Sequence, residues 1–348
     1  MPGPFVHRLD PVLGSIGGVY LWWYGLSYAL GFLQILQFLQ RRRGSLGLSR
    51  REVYTLALCF CAGVLLGGRA VQIAFDEWPL YRANPRLLPA YWLGGMATHG
   101  LLLGAMAGTT AYGWWKRIPL LELADALVIP GAFLLGLGRI GNFIDGQIVG
   151  RVTDVWWAVR FPDAEGFRHP VVLYDGVKNL LLVPYLLHVR RTNPTPGAVA
   201  ARFVFWYPAL RIAIDLFRDY PTFRLALGTG QTLNIVMMSI GIALLYRSRL
   251  RRLGRLRHRR AATIPRYSVA DDPATAAQRI GFTALILFCL TIPSNWTQDV
   301  PVRYATRHPG MTRTWAYPQI DTAQYRRETV TPKSARRSST SSPQTPQR

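Results

Sequence analysis

The stretch "LVIPGAFLLGLGRIGNFIDGQIVGR", residues 127–151, runs apolar for half its length and then turns polar, with Arg139, Asn142, Asp145 and Arg151 at its far end. In a soluble chain this would be an ordinary helix exit. In a chain surrounded by lipid it sets costly polar groups near hydrocarbon, where such groups mark functional sites. Composition selects the second case. Of 348 residues, 50% are hydrophobic and only 17% charged, against about 25% charged in soluble domains. Windows of about 20 residues give apolar spans at 18–39, 53–75, 96–115, 120–138, 176–189, 199–217 and 229–246, with a weaker eighth at 280–293. The chain is therefore predicted to be an all-α polytopic membrane protein with seven transmembrane helices and an eighth beyond them. A small loop domain at 143–175 lies outside the bilayer in this reading.

The formal net charge of +23 invites a nucleic-acid reading, but the charges are placed otherwise. Arg41, Arg42, Arg43, Arg50 and Arg51 follow the first span, Lys116 and Arg117 the third, and Arg190 and Arg191 the fifth. "RSRLRRLGRLRHRR" (247–260) follows the seventh. Basic clusters on alternate loops are the positive-inside pattern of a membrane protein. No groove-reading motif accompanies them, so no nucleic-acid partner is expected.

The pattern places residues 1–17 outside the cytoplasm, a body of seven spans over 18–246, and a basic cytoplasmic linker over 247–279. An appendage at 294–330 returns to the outer side after the eighth span. The tail 331–348, rich in Ser, Thr, Pro and Arg, has too few apolar residues to bury a core and is expected to be disordered. The start of the chain lacks the basic, short-apolar, small-residue order of a cleaved signal peptide, so the first span is expected to be retained. Cys59, Cys61 and Cys289 have no Cys or His at metal-ligand spacing and read as packing residues. "NWT" (295–297) fits a glycosylation acceptor, a match frequent by chance.

The same alternation carries Arg139 to the outer end of the fourth span. Tyr24 reaches that level on the first span and His99 on the third. Arg211 and Asp215, at i and i+4, share one face of the sixth. Each residue has a structural reading of its own: an interfacial anchor for Tyr24, a fold-stabilising ion pair for Arg211 and Asp215, close packing for the glycines. Their coincidence at one depth points further. Guanidinium forks bind phosphate bidentately, so a phosphate-bearing amphiphile is the economical occupant.

Seven ordered motifs carry a resemblance: "WWYGL" (22–26), "LGGR" (66–69), "GGMATHG" (94–100), "GRIGNFIDGQIVGR" (138–151), "RHPVVLYD" (168–175), "RIAIDLFR" (211–218) and "GTGQTLNI" (228–235). Together they resemble the bacterial prolipoprotein diacylglyceryl transferases. The resemblance implies a multi-pass enzyme of the bacterial inner membrane with its active site toward the outer leaflet. Such an enzyme moves the diacylglyceryl group of phosphatidylglycerol onto the lipobox cysteine of a prolipoprotein signal peptide, forming a thioether and releasing glycerol phosphate. It implies no metal and no soluble cofactor. By position, His99, Arg139, Arg211 and Tyr24 fall on its catalytic set. Arg139, Asn142, Gly150, Arg151, Asp215, Arg69 and Tyr174 fall on its substrate-binding set.

Chemistry assigns expected roles. Arg139 and Arg211 hold the phosphate, Asn142 orients it, and His99 assists deprotonation of the thiol. Tyr24, or a water near Asp215, is an alternative base, and the sequence leaves that choice open. The chain also departs from the family pattern. Asp145 stands where Asn is usual, Gln147 where Glu is usual, and Asp175 and Asp215 where Glu is usual. Gln147 removes a charge and supports an alternative reading, a catalytically degenerate protein that binds lipid or handles lipoproteins.

Overall fold

The computed structural model describes residues 4–75, 77–93, 95–192, 195–219, 229–257, 272–294 and 300–317. The long helices are α1 (Trp23–Leu46), α2 (Arg50–Phe75), α4 (Thr98–Lys116), α5 (Leu120–Asp145), α6 (Val171–Thr192), α7 (Ala198–Asp215), α8 (Thr229–Arg257) and α9 (Ala276–Leu290). Two short helices, α3 (Trp78–Ala83) and α10 (Val300–Tyr304), sit in connections. The strands are β1 (Phe5–Val6), β2 (Val12–Ile16), β3 (Val19–Trp22) and β4 (Val159–Arg160). Each apolar block of the sequence coincides with one long helix. Arg50–Phe75, Leu120–Asp145 and Gly230–Leu250 are long and apolar enough to cross a membrane, and α9 is apolar but shorter.

Local signals account for the helix ends. Ser49 and Glu52 form a capping box at α2, each side chain taking the other's backbone N–H at 3.2 and 3.0 Å. Thr275 and Gln278 do the same at α9. Gly47 and Gly146, both in the left-handed region, end α1 and α5. Three helices carry an internal proline: Pro130 in α5, Pro184 in α6 and Pro208 in α7. Such interruptions are tolerated where neighbouring helices re-satisfy the freed backbone.

Short connections at 47–49 and 117–119 make α1/α2 and α4/α5 antiparallel neighbours. Close contacts confirm the sense of packing for α2/α4, where Gly63 meets Gly104 and Gly67 meets Gly100. Helix termini therefore sort into two ends. Arg43, Arg50, Arg51, Lys116 and Arg190 share one end, where Lys116 pairs with Glu52 at 3.3 Å. Tyr24, Thr98, Arg139 and Asp215 share the other. Buried Phe32, Ile35, Leu56, Leu123, Leu127 and Phe282 fill the space among α1, α2, α5 and α9. A second core, with Ile129, Leu186, Phe203 and Tyr207, joins α5, α6 and α7.

A Cβ on Gly104 would lie 2.0 Å from the Gly63 carbonyl oxygen, whereas one on Gly44 of α1 would meet nothing within 4 Å. Gly104→Ala should therefore lower stability by about 1–3 kcal/mol through overpacking. Gly44→Ala should be neutral or stabilising by helix propensity. Melting temperatures of the two variants in detergent check this opposite sign.

Two features depart from the sequence expectation. The first helix starts at Trp23, not at 18, because residues 19–22 pair antiparallel with β2. The loop between the fourth and fifth long helices is narrower than 143–175, since α5 runs to Asp145 and α6 begins at Val171. It is held by β4, which pairs parallel with β1, so the N-terminal segment folds onto the loop. The basic linker is helical as far as Arg257, and α9 begins at Ala276. Of the appendage, 300–317 pack on the β2–β3 hairpin, with Val12, Tyr20, Trp22, Tyr304 and Tyr317 buried together. Residues 295–297, 318–330 and the tail 331–348 lie outside the described residues. Cys61 and Cys289 are buried in the main core and Cys59 is half-buried.

Candidate functional site

The last turns of α5 set the site. Arg139 and Asn142, at i and i+3, share a helix face, and the Arg139 Nη1 donates to Asn142 Oδ1 at 3.1 Å. The Arg139 Nη2 donates to Thr98 Oγ1 at 2.9 Å, tying α5 to the start of α4. Its Nε lies 2.6 Å from Oδ2 of Asp175, on α6. The Arg211 Nη1, arriving from α7, is 2.5 Å from that same oxygen. Lys178 Nζ occupies the other side, 2.8 Å from Asp175 Oδ1, and also lies 4.0 Å from the Tyr207 ring centroid. Asp175 is 0% exposed.

Further along α7, Asp215 pairs with Arg211 Nη2 at 3.1 Å and with Arg218 Nη1 at 3.7 Å. Among the described residues of this cluster, the cations Arg139, Lys178, Arg211 and Arg218 outnumber the carboxylates Asp175 and Asp215. A buried surplus of positive charge away from water favours an anionic guest.

Of these groups, Arg139, Arg211, Arg218 and Asp215 line a pocket of about 550 Å³, and Asp175 and Lys178 are not among its lining residues; the size is typical of small-molecule sites. His99 lines its wall at the start of α4. Its Nε2 is 3.2 Å from Asn234 Oδ1 on α8. An amide oxygen only accepts, so Nε2 carries the proton in this contact and Nδ1 is left as the basic nitrogen. Tyr24 also lines the pocket, its hydroxyl 3.0 Å from that of Tyr28.

The sequence-selected residues divide. Tyr24, His99, Arg139, Asn142, Arg151, Arg211 and Asp215 all line the one pocket. Gly150, Arg69 and Tyr174 are not among the lining residues. Gly150 is where three segments cross, and a Cβ there would lie 2.5 Å from the His169 carbonyl and 2.8 Å from that of Phe217. Arg69 pairs with Glu77 at 3.2 Å and bonds the Tyr81 hydroxyl, which fixes the turn after α2. The Tyr174 hydroxyl, on the first turn of α6, accepts from Trp157 Nε1 at 2.6 Å and meets His169 Nδ1 at 3.1 Å, both in the loop before that helix.

Sequence reasoning passed over Lys178, Thr98, Asn234 and Ser294, and named Asp175 only as a departure from the family pattern. Asp175 and Lys178 stand at i and i+3, the spacing of one helix face, and that signal was available. Thr98 and Asn234 lay inside quoted motifs with nothing to distinguish them from packing residues.

Residues from both ends of the described chain pack against the end of α5. His7 donates from Nε2 to the Phe143 carbonyl at 2.6 Å, and burial lowers its pKa from the ordinary histidine value. The Tyr304 hydroxyl donates to the Asp145 carboxylate. Burial, and then that carboxylate, push the phenol well above its ordinary pKa, so it stays a donor. No group of three or more His, Cys, Asp or Glu placed to hold a metal occurs among the described residues.

A profile of the prolipoprotein diacylglyceryl transferase family matches residues 11–247. A relative from Photobacterium profundum is 36% identical over 246 residues, covering 68% of this chain and 92% of its own length. One from Geobacter sulfurreducens is 36% identical over 249 residues, 69% of this chain and 95% of its own. One from Vibrio cholerae is 35% identical over 247 residues, with 68% and 91% covered. All three bear the name phosphatidylglycerol–prolipoprotein diacylglyceryl transferase.

Proposed function

The chain belongs to the prolipoprotein diacylglyceryl transferase family, and from that premise we propose that it transfers the diacylglyceryl group of phosphatidylglycerol to the lipobox cysteine of prolipoproteins. The observation that carries the proposal is the meeting of Arg139 and Arg211, from α5 and α7, on one oxygen of Asp175 beside a pocket that His99 also lines. The Nε, Nη1 and Nη2 of Arg139 each make one contact, so both terminal nitrogens keep a further N–H for a phosphate oxygen.

The reaction is a displacement at carbon. The cysteine thiolate attacks the glycerol carbon that bears the phosphate ester, a C–S bond forms, and the C–O bond breaks. Its electron pair leaves on glycerol phosphate. The thiol must first lose its proton, since free Cys has a pKa of about 8.5. His99 Nδ1 is the nitrogen placed to take it. Arg139 and Arg211 stabilise the oxyanion as it develops, in a low-dielectric setting that strengthens the contact, and Asn142 holds the Arg139 fork in plane.

We place this site toward the outer leaflet of the bacterial inner membrane, with α1, α2 and α4–α9 crossing the bilayer and the basic helix ends in the cytoplasm. The lipid and the signal helix then reach the pocket from the membrane. Phosphatidylglycerol, the signal peptide and the bilayer are the partners, and the mechanism calls on no cofactor.

The test is purified protein with phosphatidylglycerol vesicles and a lipobox peptide, followed by mass spectrometry. The expected result is a diacylglyceryl mass gain on cysteine, and its absence would overturn the proposal. His99→Ala should lower kcat by about 10²-fold, the lower range for loss of a general base. An unchanged kcat would move the base to Tyr24 or to a water near Asp215. A second reading, lipid binding without transfer, is favoured by Gln147, an uncharged amide in the pocket wall. Phosphatidylglycerol binding with no mass gain would select it.

A further inference from the structure

The family match ends at residue 247, yet part of the pocket wall comes from beyond it. α9 begins at the basic end, where Gln278 Nε2 donates to the Arg51 carbonyl at 3.1 Å and to Thr55 Oγ1 at 2.7 Å. It then runs against α1 so closely that a Cβ on Gly25 would lie 2.1 Å from the Cys289 carbonyl oxygen. This course delivers Ser294 to the pocket, where its Oγ accepts from Asn142 Nδ2 at 2.9 Å.

That contact settles which way the Asn142 amide faces. Its Oδ1 accepts from Arg139, so its Nδ2 needs an acceptor on the opposite side. Ser294 supplies one, and the Asn142 side chain is buried at 7% exposure. The same segment also secures the end of the helix that carries both residues. Arg307 donates to the carbonyls of Asp145 at 2.7 Å and Ile144 at 2.9 Å, the last carbonyls of α5. A cation there complements the helix terminus. Tyr304 bridges Asp145 and Gln147, accepting from Gln147 Nε2 at 3.4 Å.

We propose that Ser294 is a positioning residue of the site: it fixes the Asn142 amide, and through it the Arg139 fork, for the phosphate of the lipid. Among the described residues, Ser294 thus adds to the pocket wall from beyond the part that the family profile matches. The inference rests on the phosphatidylglycerol reading above.

Its test uses the full chain in detergent with two readouts: steady-state lipidation of a lipobox peptide, and equilibrium binding of phosphatidylglycerol without peptide. Ser294→Ala should raise KM for phosphatidylglycerol about fivefold and weaken binding by a similar factor, the size of one hydrogen bond. kcat should stay within about twofold, and the melting temperature should fall only by the cost of one unpaired buried donor. Ser294→Thr, which keeps the hydroxyl, should restore KM and binding. Wild-type values in Ser294→Ala overturn the inference, as does a fall in melting temperature and kcat with KM untouched, the mark of a merely structural contact. If the wild type binds the lipid but transfers nothing, the binding readout alone decides. If it binds no lipid, the phosphatidylglycerol reading fails first and this inference with it.

Discussion

Arg139→Ala is expected to lower kcat/KM for diacylglyceryl transfer by about 10³-fold while leaving the protein folded. Removing a single oxyanion donor costs about 10²–10³ in other enzymes. Arg139 supplies a full charge and a planar fork at once, so the upper figure applies. Arg139→Lys should recover less than about tenfold of the loss. Lysine restores the charge as a point but cannot reach Asp175, Asn142 and Thr98 together as the guanidinium does. Arg211→Ala should cost a similar factor, since it approaches the same oxygen of Asp175. The double variant should fall well short of the product of the two, because residues sharing one network act as a unit. Initial rates of peptide lipidation, with melting temperatures to verify folding, check the series. Activity of Arg139→Ala within about tenfold of wild type would remove the phosphate clamp from the mechanism.

The ingredients of that clamp were legible in the sequence because two simple periodicities carried them. Apolar blocks located the long helices, and alternating basic loops said which ends lie together. From those alone, Arg139, Arg211, His99 and Tyr24 fall at one level, and the structure has them lining one pocket. What failed had equally physical reasons. "VYLWW" at 19–23 is a short apolar run, and a run of that length does not distinguish a strand from the start of a helix. The β2–β3 hairpin decides it through tertiary packing against Tyr304 and Tyr317.

Arg69 was grouped with the site by its motif. Its carboxylate partner, Glu77, lies past the end of α2, where the fold of the turn and not helical spacing brings the two together. Ser294 was out of reach for another reason, since only the course of α9 against α1 brings it to Asn142. The unusual Asp145 and Gln147 make sense on the same ground. Both meet Tyr304, a residue outside the family match, so their chemistry answers to a neighbour that no local pattern announces.

Asp175→Asn should be the most destabilising single change at the site, by about 3–5 kcal/mol, the cost of leaving buried charges without their partner. Asp175 is wholly buried, and Arg139, Arg211 and Lys178 all converge on it. Asparagine keeps the shape and removes the charge, so three cations face one another across an uncharged amide. Two further measurements separate this electrostatic account from simple loss of packing. Adding Lys178→Met to Asp175→Asn should restore part of the stability, because it removes one uncompensated cation while keeping an apolar stem against Tyr207. Phosphatidylglycerol should also raise the melting temperature of Asp175→Asn more than that of wild type. A bound phosphate then supplies the negative charge the variant lacks, and a ligand that binds only the folded state stabilises it in proportion to its affinity. Equal stabilisation of the two proteins by the lipid would mean that the phosphate does not sit among these cations, whatever the activity of the variant.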